Sequence, residues 1–364
     1  MTRFGFRCDA GPRTGVGHLV RCVALAEELT RRGVDVRFLS DLGGLPWARL
    51  LLDDRGLAWT APPATAGALA STAVALGLDA VVLDSYELSP EHGAQLRAGG
   101  RTVLAIVDGD LRGQQADLYL DQNLDAEHSS PPLPPGAVRL AGLPYTLLRD
   151  AVRSRRPARP RLPEAARTPR VVCFFGGTDA YRAAPTVGRL LVSTAARFDA
   201  TVVAADDGLR AEVAALPVGA GQRIDVIAPT DELPALLADA DLAVSASGTS
   251  TWELLCLGVP AALVWVVDNQ ELGYRRTVDR GLAVGLGHLP ALVDGGPEHD
   301  RAGALLHRLL TDARWRADLG RRAWQTVDGR GVARVADELL GRLDAAADAV
   351  TPGRASCGVR EARS

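Results

Sequence analysis

Short apolar runs of the β-strand type alternate with segments of helical periodicity along most of this 364-residue chain. In the first half the apolar runs lie at residues 3–8, 34–40, 80–84, 102–107 and 118–120. Alternation of this kind predicts right-handed β-α-β units, which build a parallel sheet flanked by helices. The pattern restarts at residues 171–175, so we expect a second sheet of the same type.

A segment rich in arginine and proline separates the two halves. Residues 152–169 read VRSRRPARPRLPEAARTP and hold few periodic apolar residues, so we predict an interdomain linker there. The predicted domains are an N-terminal one over residues 1–151 and a C-terminal one over residues 170–347, with a disordered tail over residues 348–364. The fold class is therefore α/β, with two Rossmann-like, doubly wound domains that face each other across a cleft. The helical region 301–347 finishes the second domain and could also pack back on the first.

The composition excludes several classes of protein. A net charge of −3 gives no basic excess for a phosphate backbone, so nucleic acid is not an expected partner. No apolar run reaches the roughly 18 residues of a membrane span, and the chain enters its first strand at once, so we expect a cytoplasmic protein without stable membrane insertion. All 41 basic residues are arginine, which excludes a Schiff-base lysine and a Walker lysine. Five cysteines without a CxxC pair predict neither a metal site nor a disulfide framework, and no cofactor is indicated.

The first candidate site is RTGVGHLVRC, at the turn from the first strand into the first helix. Glycines there allow a ligand to approach the backbone, and free N–H groups at a helix N-terminus favour an anion. The same helix dipole disfavours an imidazolium ion, so His18 can remain neutral and accept a proton. We assign His18 and Asp9 to the catalytic group, and Gly17 and Arg21 to substrate binding. The alternative is a histidine that only caps the helix or packs against it.

A second candidate, FFGGTD, follows the first strand of the second domain. A turn built by Gly176 and Gly177 can hold phosphate or sugar hydroxyl groups through backbone N–H groups, and Asp179 can cap the next helix. We assign all three residues to substrate binding. The alternative is a plain Gly-Gly turn.

The third candidate is SASGTSTWELLCLGVPAALVWVVDNQ. Hydroxyl and backbone groups at a helix N-terminus can hold a diphosphate, and here they belong to Ser247, Gly248, Thr249 and Ser250. Glu253, in the first helical turn, can accept hydrogen bonds from ribose hydroxyl groups. Asn269 and Gln270 are predicted to end the next strand and to add polar groups on the same cleft. An ordinary serine-rich helix cap would explain each piece separately.

Acidic residues follow two further strands of the first domain. LDSYE places Asp84, Ser85 and Tyr86 after one strand, and IVDGDL places Asp108 and Asp110 after the next. Such groups can bind sugar hydroxyls and orient water; we assign Asp84 to substrate binding and Tyr86 to the catalytic group, and for Asp110 we prefer a helix cap. Paired carboxylates also occur in glycosidases, but the sequence does not set their separation. No GxSxG motif is present, so a serine hydrolase has no support.

Taken in order, these motifs resemble one family of sugar-nucleotide enzymes. The stretches lie between residues 3 and 340 and are RCDAGPRTGVGHLVRCVALAEEL, VLDSYEL, DQN, GLPYTLLR, FFGGTD, SGTSTWELLCLGVPAALVWVVDNQ and DGRGVARV. They resemble the nucleotide-sugar hydrolase of pseudaminic acid biosynthesis and its spore-coat polysaccharide relatives. That family shares the GT-B architecture with the lipid-linked N-acetylglucosaminyltransferase of peptidoglycan assembly, so the resemblance implies a GT-B fold.

The resemblance also implies a reaction. Water would attack the anomeric carbon of a UDP-linked diacetamido-trideoxyhexose, with inversion, and release free sugar and UDP. The resemblance makes His18 the catalytic histidine and Tyr86 an active-site tyrosine, and it assigns Glu253 to the ribose and Asn269 and Gln270 to the sugar and phosphates. A diphosphate is a stable leaving group, so the reaction needs charge stabilisation and a positioned water more than an acid. GT-B folds generally hold the diphosphate with dipoles and side chains, which implies that no metal ion is needed.

Two other functions stay open. A glycosyltransferase could use the same fold to pass the sugar to an acceptor, and a non-catalytic protein could only bind a nucleotide sugar. In every case the expected partner is a small-molecule nucleotide sugar. The sequence leaves the identity of the sugar, the preferred base and the oligomeric state open.

Overall fold

A computed structural model describes residues 1–11, 15–162, 167–293 and 295–350, with side chains described as far as residue 345. Part of the predicted linker and most of the predicted tail therefore lie outside the described residues. The chain forms two lobes, and each is a parallel β-sheet with a hydrophobic core on either face.

The N-terminal lobe has a seven-stranded sheet. Its strands are β1 (Arg3–Cys8), β2 (Asp35–Leu39), β3 (Ala58–Thr60), β4 (Ala80–Asp84), β5 (Thr102–Ile106), β6 (Leu118–Asp121) and β7 (Val138–Ala141). Its helices are α1 (Gly17–Arg31), α2 (Pro46–Asp53), α3 (Ala66–Ala75), α4 (Pro90–Ala98) and α5 (Asp150–Arg153), the last of which leads towards the second lobe. The strand order is β3-β2-β1-β4-β5-β6-β7, and every pair is parallel, as the alternation predicts.

The C-terminal lobe has a six-stranded sheet. Its strands are β8 (Arg170–Phe174), β9 (Phe198–Val203), β10 (Gln222–Ile227), β11 (Leu242–Ala246), β12 (Ala261–Trp265) and β13 (Val284–His288). Its helices are α6 (Ala183–Ser193), α7 (Asp207–Ala214), α8 (Leu233–Asp239), α9 (Ser250–Leu257), α10 (Asp268–Asp279), α11 (Pro297–Thr311), α12 (Ala313–Thr326) and α13 (Gly331–Val350). The order is β10-β9-β8-β11-β12-β13, again all parallel.

Burial on both faces of the sheets explains the apolar runs in the sequence. All five residues of β4 are buried, as in central strands covered by helices on each side. In β1, Phe4, Phe6 and Cys8 alternate onto one face and are fully buried in the core beneath α1. Packing of these apolar strands therefore fixes where each strand ends, and hence where the polar loops begin.

The strand order reverses once in each lobe. In the first lobe the reversal lies between β1 and β4, and in the second it lies between β8 and β11. The loops that follow such neighbouring strands diverge and leave a crevice at the carboxyl end of the sheet, where ligands of doubly wound folds bind. The start of α1 and the end of β4 flank the first crevice, and Gly176 and Ser247 flank the second.

The last helix returns to the first lobe. Val332, Val335, Ala336 and Leu339 of α13 are fully buried in the core that also contains α1. A helix that follows the second lobe in the sequence thus stabilises the first, as the sequence analysis considered. Within the described residues, none of the helices has the length and apolar character needed to cross a membrane.

Candidate active site

The end of β4 and the start of α1 bring together two residues that the sequence analysis assigned separately. His18 is the second residue of α1, and Asp84 is the last residue of β4. Nδ1 of His18 lies 2.5 Å from Oδ1 of Asp84. The side chain of Asp84 is fully buried, whereas that of His18 remains 12% exposed. The imidazole is thus anchored from the protein side and stays open to a ligand.

The His18–Asp84 hydrogen bond decides which ring nitrogen is free. Burial alone would raise the pKa of Asp84, but Arg21 and His18 outweigh burial and lower the pKa to about 2. An ionised carboxylate only accepts hydrogen bonds, so Nδ1 carries the ring proton and donates it to Asp84. Nε2 is left as the acceptor that a general base requires.

Arg21 lies buried between two carboxylates. It donates to Asp84 from Nε at 2.7 Å and from Nη2 at 2.6 Å, and to Asp108 from Nη1 at 3.0 Å and from Nη2 at 3.2 Å. Burial would lower the pKa of Arg21, but Asp108 and Asp84 outweigh this effect and raise the pKa. The sequence analysis assigned Arg21 and Asp84 to substrate binding. In the structure Arg21 donates to Asp84, and Asp84 accepts from His18, so substrate binding by Arg21 and Asp84 stays a prediction.

Tyr86 and Asn123 complete the network around Asp108. The Tyr86 hydroxyl donates to Oδ2 of Asp108 at 2.6 Å, and the Asn123 amide donates to Oδ1 at 3.0 Å. Partial burial and the charge of Asp108 raise the pKa of Tyr86, which keeps the phenol a neutral donor. Its ring meets the ring of His18 edge-on, with centroids 4.8 Å apart, and Tyr86 is 50% exposed. Tyr86 therefore borders both the histidine and open solvent.

Two ionised carboxylates flank Arg21 in this network. Burial would raise the pKa of Asp108, but Arg21 outweighs it and lowers the pKa, so Asp108 and Asp84 are both ionised. Arg21 balances one of the two negative charges. The three charged groups therefore leave one net negative charge beside His18.

The second lobe touches the first beside His18. A Cβ atom added at Gly17 would lie 3.2 Å from Oγ1 of Thr249, and one added at Gly177 would lie 2.9 Å from the side chain of Val16. The N-terminus of α9 thus lies next to the N-terminus of α1. Two helix N-termini that meet at one point both favour a diphosphate there.

The loop before α9 is held from within the second lobe. The N–H of Ser247 donates to the carbonyl of Val264 at 2.7 Å, and the N–H of Gly248 donates to Oγ1 of Thr251 at 3.3 Å. Ser247 is buried, and Ser250 is the first residue of α9. The backbone of residues 247–250 lies at the crevice of the second lobe. Phosphate binding by Ser247, Gly248, Thr249 and Ser250 stays a prediction.

Two other predicted segments have structural partners in the second lobe. Asp179 is buried and accepts the N–H groups of Ala183 and Ala184 at 2.8 and 3.0 Å, so it caps α6; burial raises its pKa to about 6. Asn269 and Gln270 do not end β12, because that strand stops at Trp265 and α10 begins at Asp268. They lie in the first turn of α10, where Oε1 of Gln270 accepts the N–H of Val266 at 3.0 Å.

Asp9 and Glu253 each pair with an arginine. Asp9 accepts from Arg7 and, at 3.1 Å, from the N–H of Asp41, and neither contact links it to His18. Oε1 of Glu253 accepts from Nη2 of Arg149, which lies just before α5, at 3.1 Å.

The preference for Asp110 as a helix cap was wrong. Oδ1 of Asp110 accepts the N–H of Arg112 at 2.8 Å inside a turn, and no helix lies between β5 and β6.

Two residues of the network had no assigned role in the sequence analysis. Asn123 follows β6, the strand next to β5, so its place at a strand end could have marked it. The guanidinium of Arg112 lies 4.8 Å from the centre of the Tyr86 ring and donates to the carbonyl of Ser85 at 3.1 Å. No sequence signal distinguishes Arg112 from the many other arginines of the chain.

Among the described residues, one group of three side chains could hold a metal ion. It consists of Asp125, Glu127 and His128, in the loop after β6, and two of the three are exposed. Asp125 already pairs with Arg280 of the second lobe at 2.7 Å. Exposed acidic groups are common without a metal ion, and we assign no role to this one.

Comparison of the sequence with known proteins gives a partial match. No family model matches the chain. The chain is similar to the spore coat polysaccharide biosynthesis protein SpsG of Bacillus subtilis, with 31% identity over 110 residues. The alignment covers 30% of this chain and 31% of SpsG, so it spans about a third of that relative.

Solved structures match nearly the whole chain. MurG of Acinetobacter baumannii has a TM-score of 0.65 at 16% identity and matches over 94% of this chain and 100% of its own. This chain has the GT-B fold. MnaA of S. aureus, solved with UDP, has a TM-score of 0.64 at 12% identity, over 94% and 97% of the two chains. The glycosyltransferase SnogD from Streptomyces nogalater has a TM-score of 0.57 at 18% identity, over 94% and 99%. The predicted fold class, with two Rossmann-like domains in the GT-B arrangement, is confirmed.

Proposed function

We propose that this protein is an enzyme that moves the sugar of a nucleotide sugar from its diphosphate to a hydroxyl group. One observation carries the proposal: the His18–Asp84 hydrogen bond leaves Nε2 as a base where the two lobes meet. The similar structures support it, since they include a glycosyltransferase and a protein solved with UDP.

The proposed reaction is a single displacement at the anomeric carbon. Nε2 of His18 takes the proton of the attacking hydroxyl, whose oxygen bonds to the anomeric carbon. The bond from that carbon to the diphosphate oxygen breaks, and its electron pair leaves with the nucleoside diphosphate. Attack opposite to the leaving group inverts the configuration. The N-termini of α1 and α9 stabilise the charge that grows on the diphosphate.

The other predicted residues take binding roles in this proposal. The diphosphate lies against the backbone of Gly17, Gly176, Gly177, Ser247, Gly248, Thr249 and Ser250. Glu253 accepts from the ribose hydroxyls, Asn269 and Gln270 face the sugar and phosphates, and Tyr86 borders the sugar. Asp84 and Arg21 are positioning residues, because Asp84 orients the ring of His18 and Arg21 holds Asp84.

Hydrolysis of a UDP-linked diacetamido-trideoxy sugar is the second candidate function. The ordered motifs between residues 3 and 340, which resemble the hydrolase family, favour it, as does the similarity to SpsG. In this case water replaces the acceptor hydroxyl, and the same base accepts its proton.

A panel of nucleotide sugars tests the proposed function and separates its two forms. The protein is incubated with UDP-, dTDP- and GDP-sugars, with and without a set of sugar and aglycone acceptors, and nucleotide and free sugar are quantified by chromatography. Nucleotide release that requires an acceptor indicates transfer, and equal release of free sugar and nucleotide without one indicates hydrolysis. Binding without turnover under every condition would contradict the enzymatic proposal.

Contact between the lobes predicts a steric effect at Gly177. A Cβ atom there would lie 2.9 Å from Val16, so Gly177→Ala is expected to hold the lobes slightly apart. We expect kcat/KM to fall by about 10- to 100-fold, because the base is displaced from the diphosphate site. Gly303→Ala, at a position with no atom within 4 Å of the added Cβ, is the matched control. Equal turnover of the two variants would show that the close approach of Gly177 to Val16 does not affect catalysis.

A further inference from the structure

A buried ion pair links the segment before α5 to α9, beside the proposed nucleotide site. Nη2 of Arg149 donates to Oε1 of Glu253 at 3.1 Å, and the two side chains are only 6% and 7% exposed. Arg149 lies just before α5, in the segment that joins the two lobes, and Glu253 lies in the first turn of α9. Leu148 and Val152, on either side of Arg149, pack in the core that contains α9. The residue to which we assign the ribose is therefore held by a residue of the segment between the lobes.

Glu253 keeps an oxygen atom for a ligand. Oε2 accepts no hydrogen bond from the described residues, but it is not fully buried. Solvent therefore reaches Oε2. A carboxylate with one oxygen fixed by a guanidinium and the other open can accept a hydroxyl hydrogen bond in a defined direction.

Arg149 is held in its position by charges from several elements. Burial would lower the pKa of Arg149, but Glu253, followed by Glu27 of α1 and Asp231 before α8, outweighs it and raises the pKa. Nε of Arg149 is buried without a partner among the described residues. A buried donor without a partner lowers the stability of the folded protein. That Arg149 nevertheless occupies this position points to a role for its Nη2 contact with Glu253.

We propose that Arg149 is a positioning residue that orients Glu253 towards the ribose, so that the segment between the lobes takes part in recognition of the nucleotide. This inference rests on the proposed function. It makes recognition of the ribose hydroxyls depend on the Arg149–Glu253 ion pair, whereas the phosphates are bound by backbone groups of the second lobe and the helix N-termini. Loss of Arg149 should therefore weaken ribose recognition selectively.

Binding of nucleoside diphosphates tests the inference. Dissociation constants are measured by calorimetry for UDP, GDP and CDP and for their 2′-deoxy and 3′-deoxy counterparts. For the wild type, we expect the nucleoside diphosphate that binds most tightly to bind about tenfold more tightly than at least one of its deoxy counterparts. A single hydrogen bond to a charged group contributes a difference of this size. In Arg149→Met and in Glu253→Gln this ratio should fall below about twofold, and Arg149→Lys should keep part of it. The double variant should lose no more than Glu253→Gln alone.

Arg280→Met is the matched control, because Arg280 pairs with Asp125 across the lobes at 2.7 Å and does not touch Glu253. It should keep the wild-type ratio. A ratio that stays near tenfold in a folded Arg149→Met overturns the inference and leaves the proposed function intact. If circular dichroism shows that Arg149→Met does not fold, the other two variants decide. An unchanged affinity ratio in Glu253→Gln, or a complete loss of the ratio in Arg280→Met, overturns the inference. A wild type that binds none of the nucleotides contradicts the proposed function as well.

Discussion

Replacement of His18 by glutamine is expected to lower turnover of the nucleotide sugar by about 10²- to 10⁴-fold, the usual contribution of a general base. Glutamine can fill the space and still hydrogen-bond to Asp84, but its amide does not take up a proton at neutral pH. Nucleotide affinity should change by less than about twofold, because the proposed phosphate contacts are backbone groups. Single-turnover measurements separate the chemical step from product release.

His299→Gln is the matched control for this variant. His299 lies on α11, outside the proposed site, with Nδ1 3.5 Å from Oδ1 of the neighbouring Asp300, so its replacement should leave turnover unchanged. If His18→Gln keeps more than about a third of wild-type turnover, the base is another group and the proposed mechanism is wrong.

Asp84→Asn is the second substitution with a large expected effect. The new amide can donate to Nδ1, which moves the ring proton to Nε2 and removes the base. We expect a loss in kcat of about 10²- to 10⁴-fold, similar to that of His18→Gln. Arg21 also loses the fully buried one of its two carboxylate partners, so the free energy of unfolding should fall by about 3 kcal/mol. Turnover and chemical denaturation of the same preparations measure the two effects.

Combination of the two substitutions distinguishes a positioning role of Asp84 from a merely structural one. If Asp84 acts through His18, Asp84→Asn should lower turnover by less than about threefold in the His18→Gln background. The loss in stability should persist in both backgrounds, because it arises at Arg21. A full additional loss of turnover in the double variant would show that Asp84 does not work through the histidine.

The sequence predicted most of the fold because the central strands are buried on both faces. Such strands give apolar runs whose limits agree with the structure within about two residues. The elements without a prediction have a weaker pattern. The edge strands β3 and β7 have few buried residues, β13 is interrupted by two glycines, and α3 is rich in alanine, which leaves no apolar stripe.

The candidate site could be predicted residue by residue, but not as a network. Asp84, Tyr86 and Asp108 stand at or just after strand ends, and His18 stands at the start of a helix, positions that the sequence shows. Their partners depend on the spacing of β1, β4 and β5 in the sheet, because this spacing brings two carboxylates within reach of Arg21. An arginine one helical turn after a histidine gives no sign of this role in the sequence. The same is true of Arg149, whose partner lies 104 residues away in the chain.

A crystal structure of the protein with a bound nucleoside diphosphate tests the central claim most directly. We predict that the diphosphate lies within about 3 Å of backbone N–H groups at the start of α9, with the open Nε2 of His18 facing its terminal phosphate across the space for a sugar. A nucleotide bound elsewhere, or an imidazole whose Nε2 is turned away from that space, would contradict the account.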